Sequence, residues 1–119
     1  GKLKLVTENQ MVCPELEIRI FNGHTVGQLV SYIKLGTKTL VYVGDVIPLA
    51  ANVPLSWISS YDVFPLTAME EKKVLLDEAA DKEQILFFEH DAYTECCTVT
   101  ANYKKHKIEK TFGLEEIEL

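Results

Sequence analysis

The chain has 119 residues, 47% of them hydrophobic and 25% charged, which is the size and balance of one small globular domain. Its net charge of −6 argues against a nucleic-acid partner, because binding a phosphate backbone needs a surface rich in lysine and arginine. The basic cluster Lys104-Lys105-His106-Lys107 is short and is predicted to be a solvated strand. No apolar stretch approaches the roughly 20 residues that cross a bilayer, and no signal segment opens the chain. We therefore expect a cytoplasmic protein with no membrane partner.

The first third of the sequence is predicted to be a β meander. Residues 2–7 and 16–21 have the pattern of short strands, separated by a polar turn and by Pro14. Residues 29–35 and 38–43 are predicted to form a hairpin about Gly36-Thr37.

A loop with no periodicity follows, over residues 48–65. It carries Trp57, Tyr61 and Phe64 but a single formal charge, Asp62. A long loop rich in aromatic residues packs over a core or forms the wall of a substrate pocket, and the sequence leaves both alternatives open.

The main helix is predicted over residues 68–82. Thr67 and Glu70 have the spacing of a capping box, in which each side chain bonds a backbone amide at the helix start. A stripe at helical spacing is expected to face a sheet, and four acidic residues are expected to stay in solvent. The stripe comprises Met69, Lys72, Lys73, Leu75, Leu76, Ala79 and Ala80, and the acidic set comprises Glu70, Glu71, Asp77 and Glu78.

Three further strands are predicted after the helix, over residues 85–88, 96–101 and 106–112. The first is a continuous apolar run, which is typical of a strand covered on both faces. Residues 113–119 form an acidic tail of weak helical character. The cysteines Cys13, Cys96 and Cys97 show no CxxC spacing and are expected to be free thiols.

Potential metal ligands end three of the strand-like phrases. His24 follows the strand at 16–21, Asp45 follows the one at 38–43, and His90 follows the one at 85–88. If the meander pairs in order, its first and third strands run in the same direction, so His24 and Asp45 share one rim of the sheet. A strand–helix–strand crossover returns the chain parallel, which brings His90 to that rim as well.

Two imidazoles and a carboxylate are suitable ligands for a borderline divalent ion such as zinc. Such ligands need partners that fix their orientation, and Thr25, Glu89 and Asp91 are the candidates. Trp57 and Tyr93 are predicted to lie near the rim, where they line a pocket or serve in packing.

These phrases resemble the motifs of the metallo-β-lactamase-fold hydrolases. Gly23-His24-Thr25-Val26-Gly27 is similar to the GHTPG element, Gly44-Asp45 to the strand-end Asp element, and Glu89-His90-Asp91 to the last His element. Their order and spacing also fit, and the match covers residues 16–91.

The resemblance implies an α/β fold, the C-terminal αβ half of a four-layer αββα sandwich, with a mixed sheet and one main helix. It implies that His24 binds the first of two zinc ions, that His90 binds the second, and that the catalytic Asp45 bridges them. It also implies hydrolysis of a small-molecule substrate by a metal-bound hydroxide.

Two departures from the family pattern stand out. Val26 replaces the usual Pro, and the HxHxDH element that supplies the remaining ligands is absent, leaving His106 as the one unassigned histidine. Residues 1–119 are therefore expected to be a single domain that is a fragment or half of a larger protein, inactive alone, and to self-associate or pair with the missing N-terminal half. The alternative is a non-enzymatic interaction or oligomerisation module derived from this fold.

Overall fold

A seven-stranded mixed sheet, with its strands side by side in chain order, forms the body of the computed structural model, which describes residues 1–103 and 105–119. Its strands are β1 (Gln10–Cys13), β2 (Leu16–Phe21), β3 (Gln28–Leu35), β4 (Lys38–Tyr42), β5 (Ile85–Phe87), β6 (Cys96–Asn102) and β7 (Lys105–Phe112). The 17-residue helix α1 (Pro65–Asp81) lies between β4 and β5 in the chain. Within these described residues, no helix is both long enough and apolar enough to cross a bilayer.

The strand directions agree with the predicted meander and crossover. β2, β3 and β4 pair antiparallel, whereas β4 and β5 pair parallel, with Leu40 opposite Ile85 and Val41 opposite Leu86. β6 and β7 add an antiparallel hairpin at the far edge. The predicted mixed sheet with one main helix is confirmed.

Each face of the sheet carries its own apolar row. On the face covered by α1, paired neighbours Tyr32, Val41, Leu86 and Cys97 run across four strands and join the main core with Leu76 of the helix. Burying one such aliphatic side chain stabilises the fold by roughly 1.5–3 kcal/mol.

The opposite face has a second row, in which Leu16, Ile33, Leu40 and Ile85 are paired in turn. Leu40 and Ile85 are buried, whereas Leu16 and Ile33 remain partly exposed. Ile117 of the C-terminal segment covers part of this second face. It is therefore an apolar face covered at one end and open at the other.

At the N-terminal end, one strand prediction was wrong. Residues 2–7 are not a strand; β1 occupies the edge beside β2, and Leu3 and Leu5 are 84% and 77% exposed. The acidic tail is helical in one short 3-10 turn, Leu114–Glu116. In the basic cluster, Lys104 lies outside the described residues.

The helix begins at Pro65, three residues before the predicted start, and ends at Asp81. Proline suits the first helical position because its φ is already helical and it has no N–H to leave unpaired. The predicted capping box is not used: Phe64 is the N-cap, and the Ala68 amide already donates to the Phe64 carbonyl at 2.9 Å. The buried face is Ala68, Lys72, Leu75, Leu76 and Ala79, whereas Lys73, predicted to lie in the stripe, is exposed.

His106, predicted to lie in a solvated strand, is buried. Its Nε2 lies 2.6 Å from Oδ1 of Asp77, which was predicted to be solvated. Successive side chains of β7 point to opposite faces of the sheet, and His106 is on the face toward α1. The sequence did not indicate this, because the residues around His106 are mostly basic on both faces.

Glu78 is also less exposed than predicted, because it pairs with Arg19 of β2. Arg19 Nη1 donates to Glu78 Oε2 at 2.6 Å, its Nε donates to Glu17 at 2.7 Å, and its guanidinium lies 3.9 Å from the centre of the Tyr32 ring. The bond from Arg19 lowers the pKa of Glu78 from 4.5 to about 2. This ion pair ties α1 to the sheet.

The Arg19–Glu78 pair predicts a specific acid sensitivity. Because the pKa of Glu78 is lower in the folded state, its contribution to stability is present above pH 4.5 and is lost as the pH falls toward 2. In Glu78→Gln, we expect the acid-dependent loss of unfolding free energy to shrink by roughly 2–3 kcal/mol. Urea unfolding at several acidic pH values measures it. Glu70→Gln, on an exposed site of the same helix, is the control; equal acid dependence in Glu78→Gln and wild type would contradict the assignment.

Candidate metal centre

The carboxyl ends of β2, β4 and β5 meet at one rim of the sheet. β2 and β4 are both antiparallel to β3, and β5 is parallel to β4, so all three strands run in the same direction. His24, Asp45 and His90 each lie three residues beyond the end of their strand. The structure thus brings the three predicted ligands together.

The Asp45 carboxylate lies between the two imidazoles. Its Oδ1 is 2.9 Å from His90 Nε2, and its Oδ2 is 3.4 Å from His24 Nε2. The side chain of His24 is 18% exposed, that of Asp45 38% and that of His90 52%. One carboxylate therefore presents one oxygen to each imidazole at a rim open to solvent.

Glu89 adds a second carboxylate beside Asp45 and His90. Ligand atoms from Asp45, Glu89 and His90 all lie within 4.8 Å of one another, close enough to surround one metal ion. Burial and the Glu89 carboxylate both raise the pKa of the nearby Tyr42. The sequence predicted that Glu89 orients a neighbouring ligand. Its position indicates that its carboxylate could bind the metal directly.

The backbone before His24 is held by α1. The Glu71 carboxylate accepts hydrogen bonds from the amides of Asn22, at 2.8 Å, and Gly23, at 2.6 Å. A Cβ on Gly23 would overlap the backbone of Ala68 in the first turn of the helix. Glycine is therefore needed at this position because of the close approach of the helix.

Asp62 is the residue at the site that the sequence analysis left without a role. Its Oδ1 lies 2.9 Å from His24 Nδ1, and its side chain is 4% exposed. The available signal was its position as the single charge in a loop otherwise rich in apolar residues.

Asp91 organises the loop after β5. Its Oδ1 accepts from the amides of Tyr93 and Thr94, and its Oδ2 accepts from the amide of Ala50, each at 2.9 Å. Burial acts to raise the pKa of Asp91, but these three bonds to the charged form produce a net lowering. The carboxylate joins the segment after β5 to the loop after β4.

The remaining predicted pocket residues lie at the surface. Thr25 is exposed, Trp57 is 63% exposed and Tyr93 is 98% exposed. In the loop of residues 48–65, Tyr61 and Phe64 are also exposed, so these aromatic rings do not cover the core. Their role as a pocket wall stays a prediction.

The adjacent cysteines lie inside the fold. Burial raises the pKa of Cys96 to about 11 and that of Cys97 to about 12. Because a thiolate is the reactive form, neither side chain is suited to nucleophilic chemistry at neutral pH.

The sequence matches no family model and no curated protein, whereas solved structures match it closely in shape. A probable metal-dependent hydrolase from Staphylococcus aureus has a TM-score of 0.79 at 20% identity, over 94% of this chain and 42% of its own. AidC, a dizinc quorum-quenching lactonase, has a TM-score of 0.79 at 24% identity, over 94% of this chain and 39% of its own. A hydrolase in the β-lactamase superfamily, AbOPH, has a TM-score of 0.70 at 17% identity, over 81% of this chain and 34% of its own.

The chain has the fold of one αβ half of a metallo-β-lactamase sandwich. It spans about two fifths of the length of the first two solved structures, which is consistent with the predicted C-terminal half of that fold. Because all three sequence identities are below 25%, the likeness to these structures is evidence for the fold alone.

The close approach of Gly23 to α1 predicts that Gly23→Ala destabilises the protein. Because the overlapping atoms belong to backbone, relief requires the helix to move, and we expect a loss of about 1–3 kcal/mol in unfolding free energy. Denaturant unfolding measures it. Gly113→Ala is the matched control, since its φ is −83° and its added Cβ meets a flexible Glu115 carboxylate. A Gly23→Ala protein as stable as the control would show that the contact is loose.

Proposed function

We propose that this chain is the C-terminal part of a metal-dependent hydrolase that uses two zinc ions and acts on a small molecule. The observation that supports it is the Asp45 carboxylate, whose two oxygens face the Nε2 atoms of different imidazoles at the rim. The fold likeness to a structure named a dizinc lactonase supports the same proposal.

The donor set suits a divalent metal. Imidazole nitrogen and carboxylate oxygen are both ligands that zinc accepts, and a carboxylate with one oxygen toward each imidazole suits a bridge between two ions. In this proposal His24 binds one ion, His90 binds the other, and Asp45 bridges them as the catalytic carboxylate. When bound, such a metal pair lowers the pKa of water and supplies the nucleophile for hydrolysis.

Other residues of the chain hold the candidate ligands in place. His24 is held from behind by the Asp62 carboxylate, and the backbone before it is held by Glu71. His90 is more exposed and follows directly after Glu89, the further possible ligand. The more rigid side of the site is therefore the one built on β2 and α1.

The proposed site is incomplete within this chain. Zinc sites in proteins use about four ligands each, and the sequence lacks the HxHxDH element that would supply the others. We infer that residues 1–119 are one domain that binds zinc weakly and is catalytically inactive without the other half.

The apolar face opposite α1 supports pairing with that half. Leu16 and Ile33 are partly exposed on it, and Leu29 is 42% exposed. Soluble proteins rarely leave a contiguous apolar patch uncovered. A second β layer docked on this face, or a second copy of the chain, would bury these side chains.

This same face favours the second candidate function, a non-enzymatic interaction or oligomerisation module. The two candidates differ in the polypeptide that precedes these residues. An HxHxDH element there supports the hydrolase, and a longer polypeptide lacking that element supports the module.

Zinc titration calorimetry tests the hydrolase. We expect weak binding by residues 1–119 and tight binding by the longer protein that carries an HxHxDH element, because ligands divided between two ions complete neither site. In the longer protein, His24→Ala should weaken zinc binding, whereas His106→Asn, which alters the histidine paired with Asp77, should not.

Tight zinc binding by residues 1–119, lost in His24→Ala, would contradict the division of the site between two halves. Absence of zinc from the longer protein would contradict the hydrolase itself.

A further inference from the structure

The loop that carries Asp62 is anchored by a buried lysine. Lys72 of α1 is 1% exposed, and its Nζ donates to the carbonyls of Asn52 at 3.0 Å, Pro54 at 2.9 Å and Trp57 at 3.0 Å. An ammonium has three N–H groups, so all of them are used within this loop. Lys72 thereby gathers three separate points of the loop around one charged group.

Lys72 also interacts electrostatically with Asp62. Burial lowers the pKa of Lys72 to about 8, and the negative charge of Asp62 acts in the opposite direction. The attraction between the two charges adds to the three hydrogen bonds that Lys72 donates to the loop. The loop is therefore held by a charged group from the helix.

The loop is also bonded to the strand end that carries His24. The amide of Val63 donates to the His24 carbonyl at 3.0 Å, and the amide of Phe64 donates to the Gly23 carbonyl at 2.9 Å. Asp62 directly precedes these two residues. Its place beside the His24 ring therefore follows from backbone pairing as well as from the side-chain contact.

The contact between Asp62 and His24 selects one form of the imidazole. An ionised carboxylate can only accept a hydrogen bond, so His24 Nδ1, at 2.9 Å, must carry the hydrogen. On the neutral ring this leaves the lone pair on Nε2, which lies 3.4 Å from Asp45 Oδ2. Two acceptors then face each other, an arrangement that a cation between them would stabilise.

We propose that Asp62 is a positioning residue: it holds His24 in the Nδ1–H tautomer, with the Nε2 lone pair directed toward Asp45, and Lys72 holds the loop in place for it. The metal-binding consequence rests on the proposed function. The choice of tautomer does not, because it concerns only residues of this chain.

The tautomer is measured directly by long-range ¹H–¹⁵N correlation spectra of the neutral histidine rings in the chain. In the wild type, we expect His24 to show a protonated Nδ1 and an unprotonated Nε2. Asp62→Ala should shift the ring toward the Nε2–H tautomer, because the acceptor that remains is the Asp45 carboxylate beside Nε2. Asp62→Asn keeps the shape of the side chain but can donate from its NH2 group to an unprotonated Nδ1, so it should populate the Nε2–H tautomer.

Two further variants separate positioning from general damage to the fold. Asp77→Ala removes the carboxylate beside His106 and should change the His106 signals while leaving those of His24 unchanged. Lys72→Met should leave the sheet resonances in place and increase the minor His24 tautomer, because the loop loses its anchor. A wild-type His24 ring protonated on Nε2 alone, or an unchanged tautomer in folded Asp62→Ala, would overturn the inference.

Zinc affinity of the longer protein supplies the second readout. Loss of a partner that orients a ligand typically weakens metal binding about 10- to 100-fold, which we expect both for Asp62→Ala and for Asp62→Asn. Equal zinc affinity of wild type and Asp62→Ala would overturn the positioning role while leaving the proposed hydrolase intact. A longer protein that binds no zinc would remove the proposed hydrolase, and the tautomer measurement would still decide the role of Asp62.

Discussion

The parallel pairing of β4 with β5 determines where the helix lies and where the three candidate ligands meet. Parallel neighbours cannot be joined by a tight turn, so the chain must cross the sheet between them, and α1 makes that crossing. The helix can be buried because its Leu75, Leu76 and Ala79 meet the apolar row on one face of the sheet. Since β5 then ends at the same rim as β2 and β4, His90 comes within hydrogen-bond distance of Asp45.

The helix also determines how firmly each part of the rim is held. Its first half contacts the β2 side of the site: Ala68 lies against Gly23, Glu71 binds the amides before His24, and Lys72 anchors the loop that carries Asp62. Its second half contacts the sheet through Glu78 with Arg19 and through Asp77 with His106. Polar contacts thus occur along the whole length of the helix, and those of its first half directly support His24.

Local patterns predicted the parts of the fold that depend on neighbours in the chain. Residues 16–21 are a strand with the predicted bounds, and the hairpin about Gly36 differs from its prediction by one residue at each outer end. The same reasoning failed where the deciding contact is distant in sequence. The basic segment around His106 does not indicate that this side chain pairs with Asp77. The helix starts at Pro65, before Thr67, because the Phe64 amide donates a hydrogen bond to the Gly23 carbonyl.

For the site, topology placed His24, Asp45 and His90 at one rim, but it did not reveal what holds them. Asp62 is 38 residues from His24 in sequence, and its loop has no periodicity from which a direction could be inferred. Lys72 had the spacing of a residue facing the sheet, but the three carbonyls that receive its ammonium belong to that same irregular loop. Strand order determines where a ligand residue lies. The loops determine how its side chain is oriented, and the sequence of an irregular loop gives little indication of its geometry.

The open apolar face and the divided set of ligands have a common physical origin under the proposed function. A sandwich of two sheets buries one face of each sheet between its halves, and a site at the shared rim takes ligands from both. Separating the halves exposes the face and opens the site together. Apolar contact across Leu16, Leu29 and Ile33 would then supply free energy for closing the metal site, because the second set of ligands arrives with the second sheet. The side chain of His90 is 52% exposed, whereas that of His24 is 18% exposed. This difference is expected under the proposed function if the N-terminal half covers the β5 side of the rim.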